Sequence, residues 1–142
     1  MKRAIAVMPA LAATVALLVA TVPGRAAGNL AARPDDITIV MKDDLTLSTK
    51  EIRLETGKYY RLTVRNVGTE EFQFRADELW RNSFINEVKI GDLEVHPLAL
   101  HDIEFDDEGE ILIFFVPIRP GDYEFWVDGH RERGMLGKFI VR

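Results

Sequence analysis

The sequence predicts an all-β fold, a single antiparallel sandwich built of short strands. Three observations carry that expectation: beyond residue 36 the apolar residues recur with period two, turn signals separate the alternating runs, and almost no stretch has a helical period. With 142 residues, the chain is long enough for one domain with a substantial core and too short for two of ordinary size.

Residues 37–41 are a first strand, and residues 46–54 alternate Leu47, Ile52 and Leu54 with polar side chains before Glu55-Thr-Gly-Lys58 turns the chain. Residues 59–65 alternate cleanly, with Tyr60, Leu62 and Val64 on one face, and Asn66-Val-Gly68 closes that strand. Residues 71–75 form a short strand. Residues 76–86 break the period, with Leu79, Trp80, Phe84 and Ile85 at mixed spacing, and read as a short irregular or helical excursion. Short strands at 87–90 and 92–95 flank Gly91, residues 101–105 alternate again, and 106–109 make a turn. The apolar run 111–116 is the pattern of a strand buried on both sides. After Pro117 and Pro120-Gly121 comes a last hairpin: a strand over 123–127, a loop over 128–134 and a strand over 136–141.

At the other end, Lys2 and Arg3 precede an uncharged run over 4–22, and Pro23-Gly-Arg-Ala-Ala27 follows with small residues suited to cleavage. Residues 1–27 are therefore expected to be a signal peptide, 28–36 a short lead-in and 37–142 the folded domain. The apolar run is also long enough to span a bilayer, so an uncleaved anchor is the alternative, and the membrane enters only through this segment.

Composition narrows the function. The chain carries 18 Lys and Arg against 23 Asp and Glu, and loss of Lys2, Arg3 and Arg25 with the signal would move its formal charge from −5 to −8. Such a surface repels phosphate backbones, so no nucleic acid partner is expected, whereas cations or basic protein faces are compatible with it. There is no cysteine, so neither a disulfide nor a thiol nucleophile exists. Ser48 and Ser83 are the only serines and neither sits in a nucleophile elbow; no glycine loop suits a phosphate. The enzyme question is left open, leaning to no.

The terminal segment Arg119-Pro-Gly-Asp-Tyr-Glu-Phe125, with the hairpin through Gly134-Met-Leu-Gly-Lys-Phe-Ile-Val141, resembles the ligand hairpin of the cupredoxins, as does Glu55 to Gly68 with its Asn66-Val-Gly68 turn. The resemblance covers roughly residues 37–142 and implies a Greek-key cupredoxin-like sandwich. It also implies where ligands would lie. The order Cys, His, Met on such a hairpin falls on Val127, His130 and Met135, and counting from Asn66 the remaining His falls on Phe72. Because a blue-copper centre depends on a copper–thiolate bond in a His₂Cys set with a weak axial Met, the chain cannot build one.

Glu71-Phe72 after the Asn66 turn, followed by Leu79-x-Arg81, is similar to the EfeO-type periplasmic domains of iron and copper handling. That likeness implies a periplasmic protein that binds or delivers copper or iron, partnered by periplasmic or membrane metal-transport proteins and acting as an accessory of iron uptake; any activity would be assistance in Fe(II) oxidation. The expected metal ligands are His130, Met135 and Glu71, an imidazole, a thioether and a carboxylate that together accept Cu(II) or Fe(II). The plainer reading is that Met135 fills core and His130 lies on a surface loop. The alternative function is a metal-free cupredoxin-fold interaction module that has lost its metal site. His96 and His101, beside Glu94 and Asp102, are a fallback pair. Five positions apart on an extended chain they face opposite ways, which suits separate structural roles. Trp80 and Trp126 read as packing residues, Trp126 out of phase with Tyr123, Phe125 and Val127 and so expected to face outward or to pack against the excursion.

Overall fold

A computed structural model describes residues 29–142. The expected signal peptide, residues 1–27, lies outside the described residues. Among the described residues no helix is long and apolar enough to cross a membrane.

Among the described residues, eleven strands and one short α-helix follow in chain order: β1 (Asp35–Lys42), β2 (Thr46–Leu47), β3 (Glu51–Leu54), β4 (Tyr60–Asn66), β5 (Phe72–Arg75), α1 (Asp77–Arg81), β6 (Ser83–Ile90), β7 (Leu93–Val95), β8 (Asp102–Phe105), β9 (Gly109–Pro117), β10 (Gly121–Val127) and β11 (Leu136–Val141). They form two sheets, one ordered β2-β1-β4-β9-β6-β7 and the other β3-β11-β10-β5-β8. Most neighbours are not consecutive in the chain, the crossing pattern of Greek-key sandwiches. Pairing is mostly antiparallel, as the alternating runs imply, but β1 lies parallel to β4 and β3 parallel to β11. Alternation says which face of a strand is apolar; it carries no sign for strand direction.

The core is the sum of the inward faces. Ile39, Met41, Leu62, Val64, Ile113 and Phe115 from the first sheet meet Phe72, Phe74, Phe125, Val127, Phe139 and Val141 from the second, all with no exposed surface. β9 is buried on both sides as its composition predicts: Ile111, Ile113 and Phe115 face this core, whereas Phe114 and Val116 pack with Tyr59 on the outer face.

The segment expected to be an excursion is only partly one. Asp77–Arg81 forms a single helical turn that buries Leu79 and Trp80, and Trp80 stands edge-on to Phe115, with ring centroids 5.9 Å apart. From Ser83 the chain is already a strand, paired to β9 with a bulge between Ile85 and Glu87. That bulge shifts the side-chain alternation, which is why the sequence pattern loses its period there.

Candidate functional site

The loop between β10 and β11 is built on backbone hydrogen bonds around Val127, His130 and Met135. The His130 N–H donates to the Val127 carbonyl (3.1 Å), the Met135 N–H to the His130 carbonyl (3.3 Å) and the Val127 N–H to the Met135 carbonyl (3.0 Å). A 3-10 turn, Arg131–Arg133, fills the bend and ends at Gly134, whose φ of +93° lies in the left-handed region that suits glycine. The Asp128 N–H donates to the Gln73 carbonyl (2.9 Å) and ties the loop to β5.

That tie brings Phe72 against His130. The two rings meet edge to face at 5.7 Å and 87°, so the count from Asn66 locates Phe72 beside the hairpin histidine. Phe72, Val127 and Met135 are completely buried and His130 is half-buried. The His130 Nδ1 is buried with no hydrogen-bond partner. Of the three residues expected as ligands, His130 and Met135 share this corner. Glu71 is exposed, and its carboxylate lies within 4.8 Å of ligand atoms of Glu104 and Asp106 on the β8 side. Desolvation by neighbouring groups and then the Glu71 charge push the carboxyl of the exposed Glu104 up from its ordinary range.

Two other features belong to this end of the sandwich. Trp126 faces outward and two guanidinium groups lie against its ring, Arg75 at 5.7 Å and Arg131 at 5.1 Å from the centroid; Arg131 is itself paired with Glu124. Arg75 also forms a two-pronged pair with Asp77 at 2.9 and 2.6 Å. This guanidinium holds the Asp77 carboxyl below its usual range.

His96 and His101 have separate partners. His101 lies beside Asp102 (3.2 Å) and Arg75 (3.4 Å). His96 lies 3.3 Å from Glu94, and the two, with Glu87, bring their ligand atoms within 4.8 Å of one another. Glu87 was not among the residues singled out in the sequence. Alternation around Gly91 puts Glu87 with Lys89 on one strand face and Glu94 with His96 on another, but only the register of the hairpin brings the two together.

Comparison with solved structures gives the class of this architecture. The chain is similar to a copper-containing nitrite reductase from Thermus scotoductus (TM-score 0.61, 15% identity, 80% of this chain and 32% of that one). It is also similar to a multicopper oxidase from Campylobacter jejuni (TM-score 0.57, 12% identity, 78% and 30%) and to auracyanin from Roseiflexus castenholzii (TM-score 0.54, 20% identity, 78% and 99%). The chain thus spans about a third of the reductase and the oxidase and nearly all of the auracyanin. No protein-family model and no curated protein matches it. The fold is that of a cupredoxin-like β-sandwich.

No similarity narrows the chain to the EfeO-type group. The copper that such folds commonly hold does not fit the residues found here: of the four blue-copper positions, Phe72 and Val127 are apolar and fully buried, and the remaining donors are one imidazole nitrogen and one thioether.

Proposed function

We propose that this protein is a cupredoxin-fold interaction module whose cupredoxin metal position is closed by apolar packing. The observation that carries the reading is the corner where Phe72 lies edge-on to His130 and Val127 is buried among core side chains. Rebuilding a centre there would require two donors in place of two core residues. The segment 1–27 supports a periplasmic location for the module.

An interaction role is supported by the edge where the two sheets end. β7 and β8 are the edge strands there, and Val88, Ile90, Val95, Pro97, Leu100 and Ile103 line a groove beside them. Leu93 and Leu98 stand exposed nearby. Asp92, Glu94, Asp102 and Glu104 add negative charge around this apolar surface. Its chemistry matches a protein face with an apolar centre and basic flanks.

One observation favours a second reading, transfer of copper or iron by His130 and Met135: the unpartnered Nδ1 of His130. The two readings separate when Cu(I) is added to the full chain and the Met135 methyl and His130 ring resonances are followed by NMR. The module reading expects no shift at either residue with one equivalent of metal. It also expects the double variant His130→Ala, Met135→Leu to support normal growth under iron limitation and copper excess. Stoichiometric shifts at both residues, or a metal-handling defect in the variant, would establish the transfer reading instead.

A further inference from the structure

The hairpin of β6 and β7 carries a second group of donors, on the outer face of the other sheet and apart from the closed cupredoxin corner. Its register pairs Val88 with Val95, Lys89 with Glu94 and Ile90 with Leu93. His96 follows β7 directly, and its ligand atom lies within 4.8 Å of those of Glu87 and Glu94. Because side chains alternate, Val88 turns to the core while Glu87, Lys89, Glu94 and His96 form a rectangle on the outer face. Gly91, at a φ of +57°, supplies the left-handed residue that a tight two-residue hairpin turn requires. Regular strands therefore set the spacing of Glu87, Lys89 and Glu94, and His96 is the first residue after them.

The orientation of His96 is specific. The bulge at Ile85 and Glu87 takes Asn86 out of the ladder to β9, and the freed Asn86 carbonyl accepts a hydrogen bond from His96 Nδ1 at 2.8 Å. The Asn86 side chain is held in turn, its Nδ2 donating to the Tyr59 hydroxyl at 3.0 Å. With its one proton on Nδ1, a neutral His96 turns the Nε2 lone pair toward the Glu94 carboxylate, 3.3 Å away. Two acceptors then face each other across a gap that calls for a cation. Metal–nitrogen and metal–oxygen bonds of roughly 2.1 Å put adjacent ligands of a tetrahedral site about 3.4 Å apart, close to the observed separation. A histidine oriented through its second nitrogen by a backbone carbonyl is also the usual arrangement behind a metal-bound imidazole.

We propose that Glu87, Glu94 and His96 form a binding site for a divalent first-row transition cation of the Zn(II) or Cu(II) type. Two carboxylates and one imidazole suit such ions, with Cu(II) the tighter binder. The Lys89 ammonium stands 3.3 Å from Glu87 and 3.2 Å from Glu94. It is the built-in competitor: the metal must displace this ammonium, which also lies 5.4 Å from the centroid of the Phe114 ring, from both carboxylates. Lys89 therefore sets the affinity.

The site does not rest on the function proposed above, which is tested on His130 and Met135, although Glu94 also borders the groove beside β7. The full chain is titrated with ZnCl₂ and CuSO₄ by calorimetry, and its Cu(II) complex is examined by electron paramagnetic resonance. One equivalent of each ion should bind, the Cu(II) spectrum showing coupling to a single imidazole nitrogen. His96→Gln should weaken binding at least about tenfold, the lower bound seen even for loss of groups behind the ligands, and should erase that coupling. Lys89→Met should tighten binding of both ions, whereas His101→Gln and His130→Gln should change nothing. The proposal is overturned if the Lys89→Met chain binds neither ion, or if affinity and nitrogen coupling survive His96→Gln.

Discussion

Among the described residues Asn66 is the one buried polar side chain of the core, and both its polar atoms are bonded: Nδ2 donates to the carbonyls of Glu70 (2.8 Å) and Asp107 (3.1 Å), and Oδ1 accepts from the Gly68 N–H (3.1 Å). Asn66→Asp keeps the size but loses both donors and buries a charge. It should lower the unfolding free energy by about 2–3 kcal/mol, measured by urea denaturation, because the two carbonyls lose their partners. Gly137 makes a different kind of residue-scale demand. A Cβ there would stand 2.3 Å from the tip of the Phe125 ring, which is fully buried and packed 4.8 Å from Phe139 and 5.9 Å from Phe74. The ring has nowhere to go. Gly137→Ala should cost about 1–3 kcal/mol in the same assay, the range for overpacking, and a denaturation midpoint equal to that of the parent would show that the core yields there.

At the scale of elements, the joint between β5 and α1 depends on the Arg75–Asp77 pair, whose side chains are only 18% and 16% exposed. The hydrogen bond from Arg75 is the main cause of the lowered Asp77 pKa. A depressed carboxyl contributes stability that is present above its unfolded pKa, about 3.9, and is lost as the pH falls through the lower folded value. The melting temperature should therefore fall in acid below about pH 4, and Asp77→Asn should flatten part of that fall while costing about 1.5–3 kcal/mol at neutral pH. An unchanged acid profile in the variant would remove Asp77 from the account. The entry to β10 is pinned by the Tyr123 hydroxyl, which donates to the Arg119 carbonyl at 3.0 Å. Tyr123→Phe should cost about 0.5–1.5 kcal/mol by chemical denaturation.

For the whole molecule, the important fact is that the C-terminal strand is interior to its sheet. β11 lies between β3 and β10 and contributes Phe139, Ile140 and Val141 to the buried set. Removing residues 136–142 would strand β3 and uncover the Phe125 side of the core. The truncated chain should lack the dispersed amide NMR spectrum of the parent, since tolerance of truncation follows the burial of what is removed. Cooperative folding of that truncated chain would show that the sandwich does not need β11 between those strands.

The all-β class, most strand positions and the doubly buried β9 were legible in the sequence, because burial on one face or two leaves a period that any reader of the chain can count. The absence of cysteine is plain in the letters, whereas Phe72 and Val127 were matched to ligand positions only through the resemblance of the terminal hairpin and the Asn66 turn to the cupredoxins. Strand direction, the bulge at Asn86 and the meeting of Glu87 with Glu94 and His96 were not legible, since they arise from which strands become neighbours and in what register. Side-chain periodicity is local and records only a residue's relation to its own strand; the parallel pairing of β1 with β4, the edge-on contact of Phe72 with His130 and the donor group on the β6–β7 hairpin exist only once distant segments, or the two arms of a turn, are packed together.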